Sequence, residues 1–376
     1  MVLPGVLLSL AMAACGVEKE PPEPLEPPNI DAELVYESDR IQVRVEPGMT
    51  FCQGDGVKMD THIERISSQF EIDVPPVVAI WVVRNNMGKA IADWCPVDAD
   101  GSIGGCFSPW MIMAKRWAVP HELNHATLRT LNPSAHRASE FWYEAYASAW
   151  ETHETTFDVT GLAEQTTSAA YNRGDHLVRW LVETHGVEAV ADFYASLDRY
   201  RSREQVDAAF ADVFGVSYDQ SLAQYEKEAP PLYPGFGWCD SVEVVDVPIG
   251  ETTLTFRADC AARDTYAFAE PPITDAMYVR RVLRLAQPAD LVFEFSSDVG
   301  ILNIHPCFET PVESEDDPRL SSLAWYENIG SGVPPMGPDA SKNGVPAGNS
   351  LFEFVVPIAA PRNIEAIIYA DPAVGG

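Results

Sequence analysis

The hydrophobic period changes partway along this chain, and that change limits the folds open to it more than any single motif. From about Trp117 to Ala229 apolar residues recur at helical spacing, with Gly186 and Gly215 placed as C-terminal caps and Ser217 with Gln220 as a capping box. After Pro234 the period becomes two. VEVVDV, TTLTFRA, LVFEFSS and LFEFVVPI are short alternating runs separated by Gly, Pro and Asp, the pattern of a β-sandwich. Upstream, IQVRV (41–45) and VVAIWVVR (77–84) read as strands on either side of a helical stretch from Val57 to Phe70. The expected fold class is α+β, a small mixed sheet with a helical part followed by a C-terminal β-sandwich. The boundary falls at PLYPGFG, residues 231–237, which separates domains at 32–232 and 238–376. With 376 residues, 46% of them hydrophobic, the chain has enough apolar material for two cores.

The first fifteen residues, MVLPGVLLSLAMAAC, are apolar but too short to span a bilayer, and they end in small residues before Cys15. Residues 1–14 therefore read as an export signal. The stretch resembles a bacterial lipoprotein signal, which implies a lipid on Cys15 and a place in the cell envelope, at the outer membrane. The alternative is an ordinary cleavage site at Ala11-Met12-Ala13 and a secreted protein. Residues 15–31 are rich in Pro and Glu with almost nothing to bury, which suits an extended spacer. A formal net charge of −31 excludes nucleic acid and an anionic membrane face as partners, so membrane contact is expected only through a lipid on Cys15.

Seven cysteines stand at 15, 52, 95, 106, 239, 260 and 307; setting Cys15 aside leaves six, an even set suited to disulfides in an oxidising compartment. Cys95 with Cys106 brackets a DADGSIGG turn, and Cys239 with Cys260 brackets two expected strands. These pairings leave Cys52 for Cys307. No C-x-x-C occurs, which argues against a cysteine zinc site.

The chemistry is concentrated in PHELNHATL, residues 120–128. His121 and His125 lie one helical turn apart, so both imidazoles can point at one ion, and Glu122 can reach a water on it. Pro120 suits the first helical position. A zinc site needs a third protein ligand, for which His136, Glu140, Glu144, Glu151 and His153 are candidates. Leu131 stands where a metzincin needs histidine, so that class is excluded. Glu144, nineteen residues after His125, sits in SEFWYEAYASAWE, a helical segment that Ser139 can cap. The Trp and Tyr residues around it are expected to be core.

At this point the chain resembles the gluzincin zinc metallopeptidases, in particular the aminopeptidase-related group with a peptidase MA-like catalytic domain. That pattern places its third ligand at this interval in W-x-x-E-G-x-A; Glu144 and Ala147 match, while Phe141 and Ala145 replace the Trp and Gly. The family's Y-x-x-G corresponds to Tyr171-Asn-Arg-Gly174 at the start of the next helix. The resemblance covers roughly residues 50 to 230. It implies a zincin-like domain in which His121, His125 and Glu144 hold zinc, Glu122 is the general base and Tyr171 donates to the developing oxyanion. Asp175 and His176 follow as alternatives or as partners behind the ligands, although their helical position favours the surface. The upstream G-x-M-E-N motif that grips a substrate's free amine has no counterpart here; GGCFSPWMIM (104–113) supplies an edge strand without such a carboxylate. The implied activity is zinc-dependent endopeptidase cleavage of a peptide or protein. The competing function is a non-catalytic binding or adhesion lipoprotein that keeps the zinc fold. Retention of Glu122 favours the enzyme, since a scaffold has no need of a general base.

Overall fold

The computed structural model of the chain describes residues 29–83, 104–108, 110–133, 139–151, 153–197, 202–237, 239, 242–268, 276–307, 311–312, 337–345, 347–357 and 361–373. The fold is mixed α+β. The expected export signal, Cys15, most of the Pro/Glu-rich stretch, Cys95 and His136 lie outside the described residues. Among the described residues no helix is long and apolar enough to cross a membrane.

The N-terminal sheet contains β1 (Glu33–Glu37), β2 (Ile41–Val45), β3 (Val78–Val83), β4 (Gly105–Ser108) and β5 (Met111–Lys115), in the order β1-β2-β3-β5-β4. The inner pairs β2/β3 and β3/β5 are parallel and the outer pairs antiparallel, so β4 forms one edge. Alternation in β2 turns Ile41, Val43 and Val45 inward. α1 (Gln53–Gln69) and α2 (Val119–Leu128) pack on this face, where Ile63 and Leu123 share a core with Ile80 and Ile112.

α1 begins before the expected Val57, because its first turn is polar and carries no apolar periodicity. Asp55 secures that turn: its Oδ2 accepts from the Cys52 amide at 2.9 Å and from the Ala267 amide at 3.1 Å, and Arg116 pairs with it at 3.3 Å. One buried carboxylate thus joins the helix start to a C-terminal strand.

The helical part follows with α3 (Glu140–Ala149), a π-helical turn (Ala170–Gly174), α4 (Asp175–His185), α5 (Val187–Ser196), α6 (Arg203–Phe214) and α7 (Tyr218–Glu228). Ser139 caps α3 through the Trp142 amide, and Ser217 and Gln220 form the expected capping box. Gly186 (φ 86°) and Gly215 (φ 74°) close α4 and α6 in the left-handed region that glycine favours. Trp142, Tyr146, Phe193 and Phe210 fill the core between them.

Short strands β6 (Thr155–Thr156) and β7 (Leu232–Tyr233) pair before the chain enters an eight-stranded arrangement. It comprises β8 (Val244–Val247), β9 (Gly250–Ala258), β10 (Thr265–Phe268), β11 (Ala276–Leu285), β12 (Ala289–Pro306), β13 (Gly337–Val345), β14 (Gly348–Pro357) and β15 (Arg362–Pro372). The first half of β12 pairs with β13 and β15 and its second half with β14, so one long strand serves both portions of the sheet. Phe256, Phe293, Phe352 and Phe354 form their common core.

Two disulfides correct the expected pairing: Cys52 joins Cys260 and Cys239 joins Cys307. A Cys239–Cys260 bridge presupposes that the intervening strands pair with each other. Instead β8 runs parallel to β11 and β9 runs antiparallel to β15, which carries the two cysteines apart. Cys260 arrives beside the start of α1, where its carbonyl accepts from the Gln53 amide at 2.8 Å. Cys106 is also disulfide-bonded.

Candidate metal centre

α2 leaves the sheet through a single turn after β5, with Pro120 in its first turn where no amide hydrogen bond is lost. One turn separates His121 from His125, and α3 crosses close enough to bring Glu144 to both. Glu144 Oε2 lies 2.9 Å from His121 Nε2 and 3.2 Å from His125 Nε2, and the two imidazole nitrogens are 3.0 Å apart. All three side chains are largely buried.

These three atoms fit a divalent ion. Tetrahedral ligands at ~2.0–2.1 Å from zinc lie about 3.3 Å from one another, close to the observed separations. His121 Nδ1 donates to Glu151 Oε1 at 2.9 Å, which places the proton on Nδ1 and leaves the Nε2 lone pair facing Glu144 and His125. In the neutral ring these lone pairs repel one another, so the cluster calls for a cation between them, a proton on His121 or a metal ion. The His125 ring is held differently. It stacks on Tyr143, centroids 3.9 Å apart and planes 12° from parallel, and its Nδ1 meets no hydrogen-bond partner among the described residues.

The electrostatics follow from burial and this crowding. Burial would lower His121, but Glu144 and Glu151 raise it well above the ordinary imidazole range. His125 is lowered, chiefly by burial. Burial would raise Glu144, yet the two imidazoles hold it far below the usual carboxylate range. Glu122 is pushed up to about 8 by burial, with His121 opposing and Glu144 reinforcing the shift. Edge strand β4 passes directly over Glu122, and a Cβ on Gly105 would lie 3.1 Å from its Cγ.

Tyr171 sits at the mouth, 41% exposed, its ring centroid 5.5 Å from that of His121. Burial of the hydroxyl and the nearby Glu144 raise its pKa, so the hydroxyl stays protonated and able to donate. The structure therefore gathers His121, Glu122, His125, Glu144 and Tyr171 around one point. Glu140 is exposed and outside the cluster. Glu151 contacts the far nitrogen of His121 and so is not one of the converging donors. His153, 3.5 Å from Glu151 and 3.7 Å from Asp175, lies one step further out.

One expectation is corrected. Asp175 and His176 are buried, not on the surface, directly after the π-helical turn that leads into α4. His176 Nδ1 is 2.8 Å from the Tyr225 hydroxyl, remote from the converging donors. Asn124, in α2 with His121 and His125, is also fully buried. Its Oδ1 accepts from His62 Nε2 at 2.7 Å and its Nδ2 donates to the Ala147 carbonyl at 2.5 Å, which ties α2 to α1 and α3.

No family model and no curated protein matches the chain. Among solved structures it is similar to Legionella pneumophila aminopeptidase A in complex with aspartic acid, at 11% identity and a TM-score of 0.33, over 89% of this chain and 37% of that one. It is similar also to Salmonella Typhimurium PliG, a periplasmic lysozyme inhibitor of g-type lysozyme, at 9% identity and a TM-score of 0.18, over 35% of this chain and 100% of that one. At such TM-scores neither likeness shows a shared fold.

Proposed function

We propose that the protein is an exported zinc metallopeptidase of gluzincin type that cleaves internal bonds of a peptide or protein. The observation that carries this reading is the convergence of His121 Nε2, His125 Nε2 and Glu144 Oε2 within 4.8 Å, with the Glu122 carboxyl beside them. On this reading residues 32–232 form a zincin-like catalytic domain and residues 238–376 a β-sandwich.

His121, His125 and Glu144 would hold the ion. When bound, zinc supplies Lewis acidity that activates water near neutral pH and polarises a carbonyl. Glu122, beside the ligands but not one of them, accepts the proton of the attacking water and delivers it to the leaving amine. The protonated Tyr171 hydroxyl donates to the carbonyl oxygen as charge develops on it. Glu151 fixes the tautomer and orientation of His121. β4, an edge strand next to Glu122, offers backbone groups along which an extended peptide can add as a further strand. Recognition through backbone, with no carboxylate set aside for a free amine, suits an endopeptidase.

The disulfides agree with an oxidising compartment. Together with the apolar start of the sequence they support export, with a lipid on Cys15 as the anchor. Metal analysis tests the central assignment: the purified chain should carry one zinc, which Glu144→Ala and His121→Ala remove while the far-UV circular dichroism is retained. Equal zinc content in wild type and both variants would refute the ligand set.

A further inference from the structure

Behind the metal cluster a line of alternating charge runs from His121 away from the converging donors. Glu151 stands first in it, just past the end of α3, and its backbone is held on both sides. Its amide donates to the Ser148 carbonyl at 3.1 Å and its carbonyl accepts from the Phe236 amide at 3.0 Å. Its carboxylate is engaged at both oxygens as well. Oε1 accepts from His121 Nδ1 at 2.9 Å, and Oε2 forms an ion pair with His153 Nδ1 at 3.5 Å. The far nitrogen of the His153 ring completes the line, with Nε2 3.7 Å from Asp175 Oδ2.

A carboxylate engaged at one oxygen can still rotate about its terminal bond, and the imidazole it orients can follow. Engagement at the second oxygen removes that freedom, so whatever fixes His153 also fixes the plane in which Glu151 meets His121.

Asp175 supplies that fixed point. It is buried, and a buried carboxylate is costly unless a cation or hydrogen bonds compensate it. Among the described residues its one ion-pair partner is His153, while its other oxygen, Oδ1, accepts from the His176 amide at 2.7 Å. Burial raises Asp175, and His153 is the foremost group opposing that shift. Burial would lower His153, but Asp175 and Glu151 raise it to about 10, so the ring carries a positive charge between two negative ones. Burial would also raise Glu151, which His121 and His153 together hold down at about 2. The His153 side chain is 48% exposed, and ion pairs made by such groups contribute little to stability. What this one contributes is orientation. Asp175 directly follows Gly174, the end of the π-helical turn that carries Tyr171, so the anchor belongs to a different element from Glu151.

We propose that His153, seated on Asp175, is a positioning residue of the metal centre: it engages the second oxygen of Glu151 and thereby fixes how Glu151 aims His121 at the ion. The inference rests on His121 being a metal ligand. His153 itself touches neither the converging donors nor the space between them.

Zinc affinity of the full chain, measured by competition with a chelator, tests this without reference to activity. His153→Gln should weaken zinc about three- to tenfold, less than the ~10–100-fold expected when a direct partner of a ligand is lost. Asp175→Asn, which keeps the shape and the oxygen facing the His176 amide, should reproduce that loss. In a Glu151→Gln background His153→Gln should change the affinity by less than about twofold, because the two residues act through one carboxylate. A general loosening of the fold would instead lower affinity by the same factor in both backgrounds. The proposal is overturned if His153→Gln or Asp175→Asn binds zinc as tightly as wild type, or if the effects of His153→Gln and Glu151→Gln multiply. A wild type that holds no zinc overturns the ligand set and this inference with it; a wild type that holds zinc indifferently to residue 153 overturns this inference alone.

Discussion

A Cβ on Gly174 would lie 2.7 Å from the Cβ of Ala145, so the glycine that closes the Tyr171 turn packs directly on the residue following Glu144. The distance between Tyr171 and Glu144 is therefore set by two small residues in contact. Ala145 occupies the place where the resembled pattern has glycine, and the bare backbone at 174 makes room for it.

Gly174→Ala should accordingly cost about 1–3 kcal/mol of stability, the usual penalty for overpacking. Ala145→Gly should return part of that loss when combined with it. Urea unfolding of the wild type, both single variants and the double variant would show a coupling of at least ~0.5 kcal/mol; additive effects would mean that the two residues do not share the space.

Glu151 holds the far nitrogen of His121 at 2.9 Å. Glu151→Gln keeps the shape but weakens the acceptor, and zinc affinity measured by competition with a chelator should fall ~10–100-fold. An unchanged affinity would show that the His121 orientation is fixed by packing alone.

His62 gives a pH dependence of stability. Burial holds its imidazole down at about 4 against an ordinary 6.5. The folded value lies below the unfolded one, so the unfolded chain takes up the proton first as pH falls. The contribution of neutral His62 is complete above pH 6.5 and is lost between there and pH 4. Between pH 7 and pH 5 the wild type should lose about 2 kcal/mol more than His62→Gln in chemical unfolding. Parallel losses would show that His62 is protonated as readily when folded as when unfolded.

These residues differ in how visible they are in one dimension. The pairing of His121 with His125 is legible because a helix repeats locally, and the strands are legible because VEVVDV and LFEFVVPI alternate. Glu144 needed the family resemblance, since Glu140 on the same helix and Glu151 just beyond it are carboxylates at comparable spacing. Asn124 was silent because its partner His62 is 62 residues away on another helix. Asp175 and His176 looked solvent-facing because polar residues after a glycine usually are; their neighbours His153 and Tyr225, which meet them in the fold, are distant in sequence. The cysteine pairing failed for a topological reason. β8 and β9, the strands between Cys239 and Cys260, pair elsewhere and not with each other, so a bracket of 21 residues was a poorer guide than a separation of 208.

The most direct test of the central claim compares cleavage of an unstructured protein substrate by zinc-loaded wild type and Glu122→Gln. The substitution leaves all three donors in place, so both should hold one zinc. Wild type should cleave and the variant should be slower by ~10²–10⁴-fold, the range for loss of a general base. Wild type that holds zinc yet cleaves nothing the variant does not would contradict the account.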